Sequence, residues 1–157
     1  MPEIPAHLRD AFARFKTGPT LVRSAVSGVD PALLNRRPPG DEWSIRDVII
    51  HLSDTELVRA VRLRMMLAEE QPHLPDVDEG LWKRKLHYLW RDPESAISLF
   101  QQTRYANAEL LAQCYADAWE RTAIHASLGV MTVADQMIRG ADHVDDHVGQ
   151  IRRNREP

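Results

Sequence analysis

The chain has 157 residues, a formal net charge of −3 and 43% apolar residues. This length suits one domain, which we expect to span residues 1–157, and the charge balance excludes a general attraction to nucleic acid or anionic membranes. Cys114 is the single cysteine, so an internal disulfide is excluded, and no apolar run is long enough to cross a membrane. The N-terminal residues lack the basic-then-apolar order of a signal peptide, and we expect a cytoplasmic protein.

The first part of the chain has the periodicity of helices, without the long alternation of apolar and polar residues that would indicate a strand. A short leading helix is predicted over Pro5–Lys16. Gly18 and Pro19 are expected to interrupt it, because a proline inside a helix removes one backbone hydrogen bond. Proline is well tolerated in a first helical turn, so a new helix is predicted over residues 19–27.

The second long helix is predicted over residues 44–70, ending before Pro72. Ser44 and Asp47 have the spacing of a capping box, in which each residue bonds to the backbone of the other. Three arginines of this helix are assigned mainly to a solvated face: Arg59, Arg62 and Arg64.

His51 lies in the second turn of this helix, on a face that it shares mostly with apolar residues. Those neighbours on the helical wheel are Val48, Thr55, Val58 and Met65. The pattern therefore predicts that His51 points toward the core. A single inward histidine is more often a hydrogen-bonded core residue than a metal ligand.

Residues 71–92 form the least regular part, with a short helix predicted over 81–90. Asp92 and Pro93 are typical of a helix start, and the third long helix is predicted over residues 93–116. Cys114 has no histidine at a fixed local spacing, which favours an inert side chain over a nucleophile. Residues 117–130 are predicted to be a connection, in which His125 either lines a pocket or caps the loop.

The last long helix is predicted over residues 132–151, with Thr132 as its cap. His143 and His147 are four residues apart, so both imidazoles stand on one side of this helix and can reach one point. They flank an apolar arc beside two glutamines. An isolated pair with this spacing is more often on the surface, and a third histidine is needed to indicate a metal site.

The long helices predict an all-α fold: a four-helix bundle, up-and-down or crossover, with a short extra N-terminal helix and an irregular segment between the second and third helices. Sites in such bundles are built from side chains on facing helices. If His51 meets His143 and His147, three imidazoles can hold a divalent transition metal ion and leave positions open for water or substrate. His7, His73 and His87 are assigned to the surface.

Three blocks of the sequence resemble those of the DinB-like superfamily, in the same order and over about residues 17–151. Residues 43–56 resemble its tryptophan–helix–histidine block, and residues 143–151 resemble its closing His-x-x-x-His-x-x-Gln-Ile block. A block before the last helix is represented by Trp119-Glu120-Arg121, His125, Gly129 and Thr132. Relatives often carry a further histidine just before the last one, where this chain has Asp146.

The resemblance implies a DinB/YfiT-like four-helix bundle, often a homodimer, with a metal ion held by His51, His143 and His147. The metal ion that the resemblance implies is nickel or zinc. Some related proteins are thiol-dependent S-transferases or isomerases that use mycothiol, bacillithiol or glutathione as cosubstrate. Others are named metal-dependent hydrolases, and many members have no assigned reaction.

Three kinds of function stay open for the sequence. The first is a metal-dependent enzyme that polarises a carbonyl, activates a water or activates a thiolate. The second is a metal-binding protein without catalysis, and the third is a helical interaction module. Four acidic residues are candidates to orient an imidazole, although a solvated helix surface is the favoured interpretation for each: Asp54, Glu56, Asp142 and Asp146.

Overall fold

The computed structural model describes residues 2–40 and 42–156. The helices are α1 (Arg9–Val26), α2 (Pro31–Leu34), α3 (Ile45–Ala68), α4 (Glu79–Lys85), α5 (Pro93–Ala112) and α6 (Val133–Arg155). The strands are β1 (His73–Leu74), β2 (Thr122–His125) and β3 (Gly129–Thr132), and 3-10 turns occur at Ala6–Leu8, Tyr88–Trp90 and Ala116–Glu120.

The four long helices α1, α3, α5 and α6 form a bundle, which confirms the predicted fold class. In this bundle α1 and α6 are parallel neighbours. Arg14 in the first half of α1 donates to Asp145 in the middle of α6. Arg155 at the end of α6 donates to the Ala25 carbonyl at the end of α1. Within the part of the chain described, no helix is both long enough and apolar enough to span a membrane.

Helices α3 and α5 run parallel to each other and opposite to α1 and α6. Arg46 at the start of α3 donates to the Arg91 carbonyl just before α5, and Glu56 in mid-α3 pairs with Arg104 in mid-α5. The order of directions is therefore up-down-down-up. The segment between α3 and α5 must cross the length of the bundle, and it contains β1, α4 and one 3-10 turn.

Helix α1 is continuous across Gly18 and Pro19, so the predicted interruption there is wrong. Pro19 has no N–H to donate to the Phe15 carbonyl, which is the usual reason that a helix ends at such a position. In this fold Arg104 Nη1 donates to that carbonyl oxygen at 3.2 Å. The replacement donor comes from a distant part of the sequence, and local patterns do not reveal it.

A small three-stranded sheet combines β1, from the irregular segment 71–92, with β2 and β3, which lie in and just after the predicted connection. Strands β1 and β2 are parallel, with His73 opposite Ile124, and β2 and β3 are antiparallel, with Ala123 opposite Met131. Each strand has four residues or fewer, which is too short for alternation to predict it. The sheet closes one end of the bundle, because Ala123 and Met131 are buried against the core.

The bundle interior has two apolar clusters with a layer of buried polar residues between them. One cluster surrounds Phe12 and Trp119, and the other surrounds Ile49 and Phe100. In this layer Glu56 accepts hydrogen bonds from the buried side chains of Arg104 and Asn107.

Gly140→Ala is expected to destabilise the fold by about 1–3 kcal/mol, the usual cost of overpacking a dense core. A Cβ at this position of α6 would lie 2.9 Å from Phe15 Cε2 of α1. Gly149→Ala in the same helix is the matched control, since its Cβ would meet only the flexible end of Arg153, at 3.4 Å. That variant should gain about 0.5–1 kcal/mol from helix propensity. Urea unfolding of both variants measures the difference, and equal shifts would contradict the close contact.

Candidate metal centre

Three histidines from two helices meet at one point inside the bundle. His51 lies on α3, and His143 and His147 lie on α6. The Nε2 atoms of His51 and His143 are 2.9 Å apart, and one ring nitrogen of each histidine lies within 4.8 Å of the other two. The ring centroids are separated by 5.0, 4.9 and 4.5 Å. The structure thus brings together the three residues singled out in the sequence, and their role as metal ligands stays a prediction.

Local sequence signals place both helices that carry these rings. α3 starts at the capping box of Ser44 and Asp47, which sets His51 in its second turn. α6 starts at the capping box of Thr132 and Asp135. Both capping boxes agree with the sequence prediction. Because α3 and α6 run antiparallel, the start of α3 faces the second half of α6.

Gln150 orients the His147 ring. Nδ1 of His147 lies 2.9 Å from Gln150 Oε1, and an amide oxygen only accepts hydrogen bonds, so Nδ1 carries the proton. The Nε2 lone pair of His147 is then free to bind a metal ion. The Nδ1 atom of His51 is buried and has no hydrogen-bond partner among the described residues.

The three imidazoles are held in the neutral form. Burial, with smaller contributions from the charges of His147 and Arg59, lowers the pKa of His51 to about 3. Burial is also the main cause that lowers the pKa values of His143 and His147. Metal binding requires neutral imidazoles, and three of them form a common donor set for divalent transition ions. The cluster therefore fits a divalent metal ion.

Acid should destabilise the metal-free protein well before its carboxylates titrate. Each histidine of the cluster has a folded-state pKa below its ordinary value of 6.5, so the unfolded chain binds more protons as the pH falls below 6.5. For His51 the loss of stability should extend from pH 6.5 toward about 3. Each ring contributes up to about 1.4 kcal/mol per pH unit.

Urea unfolding of chelator-treated protein at pH 7 and pH 5 measures this loss. His143→Gln should reduce the pH dependence, because it removes one imidazole whose pKa is lowered in the folded protein. His7→Gln is the control, since His7 is exposed and its removal should leave the dependence unchanged. A free energy of unfolding that is the same at both pH values would contradict the lowered pKa values of the three rings.

Glu79 is a site residue that the sequence did not indicate. Its Oε1 lies 3.8 Å from His51 Nε2. Asp78 caps α4, and Lys83 of that helix pairs with Asp47 at 3.2 Å, which fixes α4 over the start of α3. Burial raises the pKa of Glu79 above its ordinary value. No local signal connects an acidic residue in the irregular segment with a histidine 28 positions earlier.

Two clefts reach the histidine cluster from different sides. One, of about 360 Å³, is lined by Trp43, Glu79 and His147 together with Glu42 and Gln150. The other, of about 270 Å³, contains His143 in its wall and three arginines: Arg59, Arg62 and Arg139. Each cleft therefore opens onto one histidine of the cluster.

The assignment of Arg59 and Arg62 to a solvated face is wrong. Both line the cleft beside His143, and the Nε atom of each is buried. The sheet and the segment after β1 cover this side of α3, and both lie far from α3 in sequence. Arg64 is exposed in part and donates to Asn107 and to the Ala60 carbonyl.

Three of the four acidic candidates pair with arginines, and within the described chain none of the four forms a hydrogen bond to an imidazole. Asp54 pairs with Arg91 at 2.6 Å, and Glu56 pairs with Arg104, so both are buried and the favoured interpretation as solvated surface is wrong for them. Asp142 pairs with Arg14, and Asp146 is exposed at the cleft edge.

The remaining histidines and the cysteine fall where the sequence placed them. His7, His73 and His87 are exposed. His125 both lines the cleft and shapes the loop after β2, with its Nδ1 at 3.4 Å from Ser127 Oγ. Cys114 is buried, and burial raises the pKa of its thiol, so it is unsuited to act as a nucleophile.

Comparison with known proteins agrees with this architecture. A protein of Bacillus licheniformis named "Putative metal-dependent hydrolase" is 24% identical over 142 residues, which are 90% of this chain and 81% of the relative. A protein of Oceanobacillus iheyensis with the same name is 26% identical over 133 residues, 85% of this chain and 77% of the relative.

The fold is also that of a solved structure. YfiT from Bacillus subtilis, described as "a probable metal-dependent hydrolase with an unusual four-helix bundle topology", superposes with a TM-score of 0.89 at 20% sequence identity. The superposition covers 98% of this chain and 89% of YfiT. The family model of the DinB superfamily matches residues 14–151, which include all three clustered histidines, and the chain belongs to that superfamily.

Proposed function

We propose that His51, His143 and His147 hold one divalent metal ion and that the protein is a metal-dependent enzyme of the thiol S-transferase or hydrolase type. The observation that carries this proposal is the convergence of three neutral imidazoles beside two open clefts. A structural metal site is usually closed by a fourth protein ligand, whereas a catalytic site keeps a position for water or substrate. The names of the two bacterial relatives support a metal-dependent reaction.

A divalent ion at this site would lower the pKa of a water or thiol bound to it. Glu79 is placed to receive the proton on Oε1, since this oxygen lies 3.8 Å from His51 Nε2 and Glu79 lines the cleft. Its raised pKa brings the carboxylate closer to the range in which a general base works at neutral pH. Gln150 keeps His147 in the tautomer that binds metal.

A low-molecular-weight thiol cosubstrate fits the chemistry of this chain. The single cysteine is buried away from the clefts, so the protein supplies no thiol of its own to the site. A thiol that enters a cleft would supply the nucleophile. Such thiols are abundant in a reducing cytoplasm, where we propose that the protein acts.

Activity assays with and without thiols separate the two reaction types. The protein is loaded with zinc or nickel and incubated with a chromogenic electrophile and a panel of glutathione, bacillithiol, mycothiol and cysteine. Thiol-dependent turnover is expected, and turnover of esters or amides without thiol would favour the hydrolase. His143→Ala should abolish either activity, and His87→Ala is the matched control on the surface.

The identity of the metal is a separate proposal. Imidazole donors suit nickel and zinc, and we propose one of these as the native ion. Elemental analysis of protein purified without chelators should find one equivalent per chain. Purified protein that contains neither ion and takes up neither would overturn the proposed metal site, and bound metal without turnover would favour a non-catalytic metal-binding protein.

We also propose a homodimer. Besides the family resemblance, the support is a group of exposed apolar residues that follow one another closely after α4: Leu86, Leu89 and Trp90, of which Trp90 is 82% exposed. Exposed apolar groups of this kind are typical of interfaces. Light scattering should give the mass of two chains, and a monomer at high concentration would contradict the proposal.

A further inference from the structure

The cleft beside His143 has a cationic wall. Its volume is about 270 Å³, and Arg59, Arg62 and Arg139 line it together with Gln136. His143 is part of the same wall, so a molecule in this cleft lies next to the metal centre. The other cleft has Glu42 and Glu79 in its wall and, among the described residues, no arginine. The two sides of the centre therefore differ in charge.

Several hydrogen-bond donors in this wall have no protein partner. The Nε atoms of Arg59 and Arg62 and the Nε2 atom of Gln136 are buried and make no hydrogen bond within the described chain. Gln136 is only 4% exposed. The three side chains line one cavity, and each buried donor without a partner is costly because it has lost its hydrogen bonds to water. A ligand with several acceptor oxygens would satisfy them.

Nearby carboxylates do not neutralise Arg59. Glu56 is the nearest in sequence, but both of its oxygens already accept hydrogen bonds from Arg104. Glu79 is within electrostatic reach of Arg59 without forming an ion pair. Burial lowers the pKa of Arg59 to about 10, so the guanidinium stays charged at pH 7.

The other acidic residues of the cleft wall are also engaged or lie in solvent. Asp142 pairs with Arg14 at 2.9 Å, and Asp146 is exposed. Arg62 donates one hydrogen bond to the Pro75 carbonyl, which leaves its charge without a carboxylate bond. An anion is therefore the missing partner of this wall.

We propose that the cleft beside His143 binds an anionic group, of the carboxylate class, which belongs to a substrate or thiol cosubstrate of the metal centre. Arg59 and Gln136 are the principal donors, and Arg62 and Arg139 add positive charge. The cleft positions the bound molecule so that its reactive end reaches the side of His143. The inference deepens the proposed function and rests on it for the identity of the reaction, but the anion subsite itself can be tested without metal.

The first experiment uses chelator-treated protein and calorimetric titration with propionate and with propionamide, its neutral analogue of similar shape. Propionate should bind at least ~10-fold more tightly, as expected for charge-assisted hydrogen bonds to buried donors. Arg59→Met should remove this preference. Arg152→Met is the matched control, because it removes the same charge from an exposed position on α6.

Stability distinguishes a lost ligand contact from a misfolded variant. Arg59→Met replaces an unpaired buried cation with an apolar side chain of similar length, which often stabilises a protein. The variant should therefore melt at the same temperature as the original chain or higher. Equal affinities for propionate and propionamide, or propionate binding that survives Arg59→Met, would overturn the anion subsite.

A second experiment assigns the anion to one of the two reactants. Cobalt-loaded protein is titrated with 3-mercaptopropionate and with 3-mercaptopropanol, and thiolate binding to the metal is followed by its charge-transfer absorption. An Arg59-dependent preference of ~10-fold for the acid would place the anion on the thiol. Equal binding of both thiols, with propionate still preferred over propionamide, would place it on the electrophile. If neither thiol binds cobalt, the thiol branch of the proposed function fails while the result with propionate stands.

Discussion

Replacing His143 with alanine should weaken the binding of a divalent metal ion by about 100-fold or more. Structural zinc sites with four ligands supply about 10–16 kcal/mol, which assigns roughly 3 kcal/mol to each ligand. Neither acidic residue close to His143 in α6 replaces it as a ligand, because Asp146 is exposed and Asp142 is paired with Arg14. His51→Ala and His147→Ala should have effects of the same size.

Competition with a chromophoric chelator measures this affinity, and circular dichroism checks that the bundle is intact. The apolar clusters of the bundle exist without the ion, so the helices should persist in each variant, with some loss of melting temperature from the missing ligand. His87→Ala is the control, since His87 is exposed on the segment after α4. Unchanged affinity in His143→Ala would mean that the three rings do not form the metal site.

The sequence predicts the features that depend on residues within one turn of a helix. Ser44, Asp92 and Thr132 cap their helices as predicted, because a cap and its partner lie two or three residues apart. The same short range applies to His143 and His147, whose shared face follows from helix geometry alone. The contact of these two histidines with His51 does not follow from helix geometry, since it depends on how α3 and α6 pack.

The parts that the sequence did not predict depend on distant residues. Helix α1 continues past Pro19 because a side chain from α5 replaces the missing backbone donor. Arg59 is buried because segments remote in sequence cover α3, whereas helical periodicity describes only the helix itself. Glu79 reaches His51 because α4 docks on α3 through Lys83 and Asp47. Each of these positions follows from tertiary packing, and none has a local pattern.

Glu56→Met should be among the most destabilising single substitutions in this chain, at about 3–5 kcal/mol. Glu56 is 1% exposed and Arg104 is 0% exposed, and the two form a bidentate pair with distances of 2.8 and 2.6 Å. Without Glu56 the Arg104 guanidinium is left buried and uncompensated. Urea and thermal unfolding measure the loss, which corresponds to a melting temperature lower by on the order of 10 °C for a chain of this size.

An exposed pair of the same chemistry provides the control. Arg23 Nη1 contacts both carboxylate oxygens of Glu94 at 2.7 Å, but the two side chains are 42% and 64% exposed. Glu94→Gln should change the free energy of unfolding by less than about 1 kcal/mol, as is usual for surface ion pairs. Equal effects of Glu56→Met and Glu94→Gln would show that burial does not determine the cost.

The double variant Glu56→Met/Arg104→Met should recover part of the loss, because no buried charge is left unpaired. It should still be less stable than the original chain. Arg104 also donates to the Phe15 carbonyl, which lacks a helical donor since residue 19 is proline. In the double variant that carbonyl is buried without a partner.

Adding Pro19→Ala to the double variant should therefore raise its stability, since the new backbone N–H can donate to the Phe15 carbonyl. The same Pro19→Ala change in the original chain should gain less, because Arg104 already supplies a donor there. The difference between the two effects of Pro19→Ala, measured by urea unfolding, isolates the role of Arg104 as the replacement donor. A Pro19→Ala effect of the same size in both backgrounds would mean that Arg104 does not act as the replacement donor for the Phe15 carbonyl.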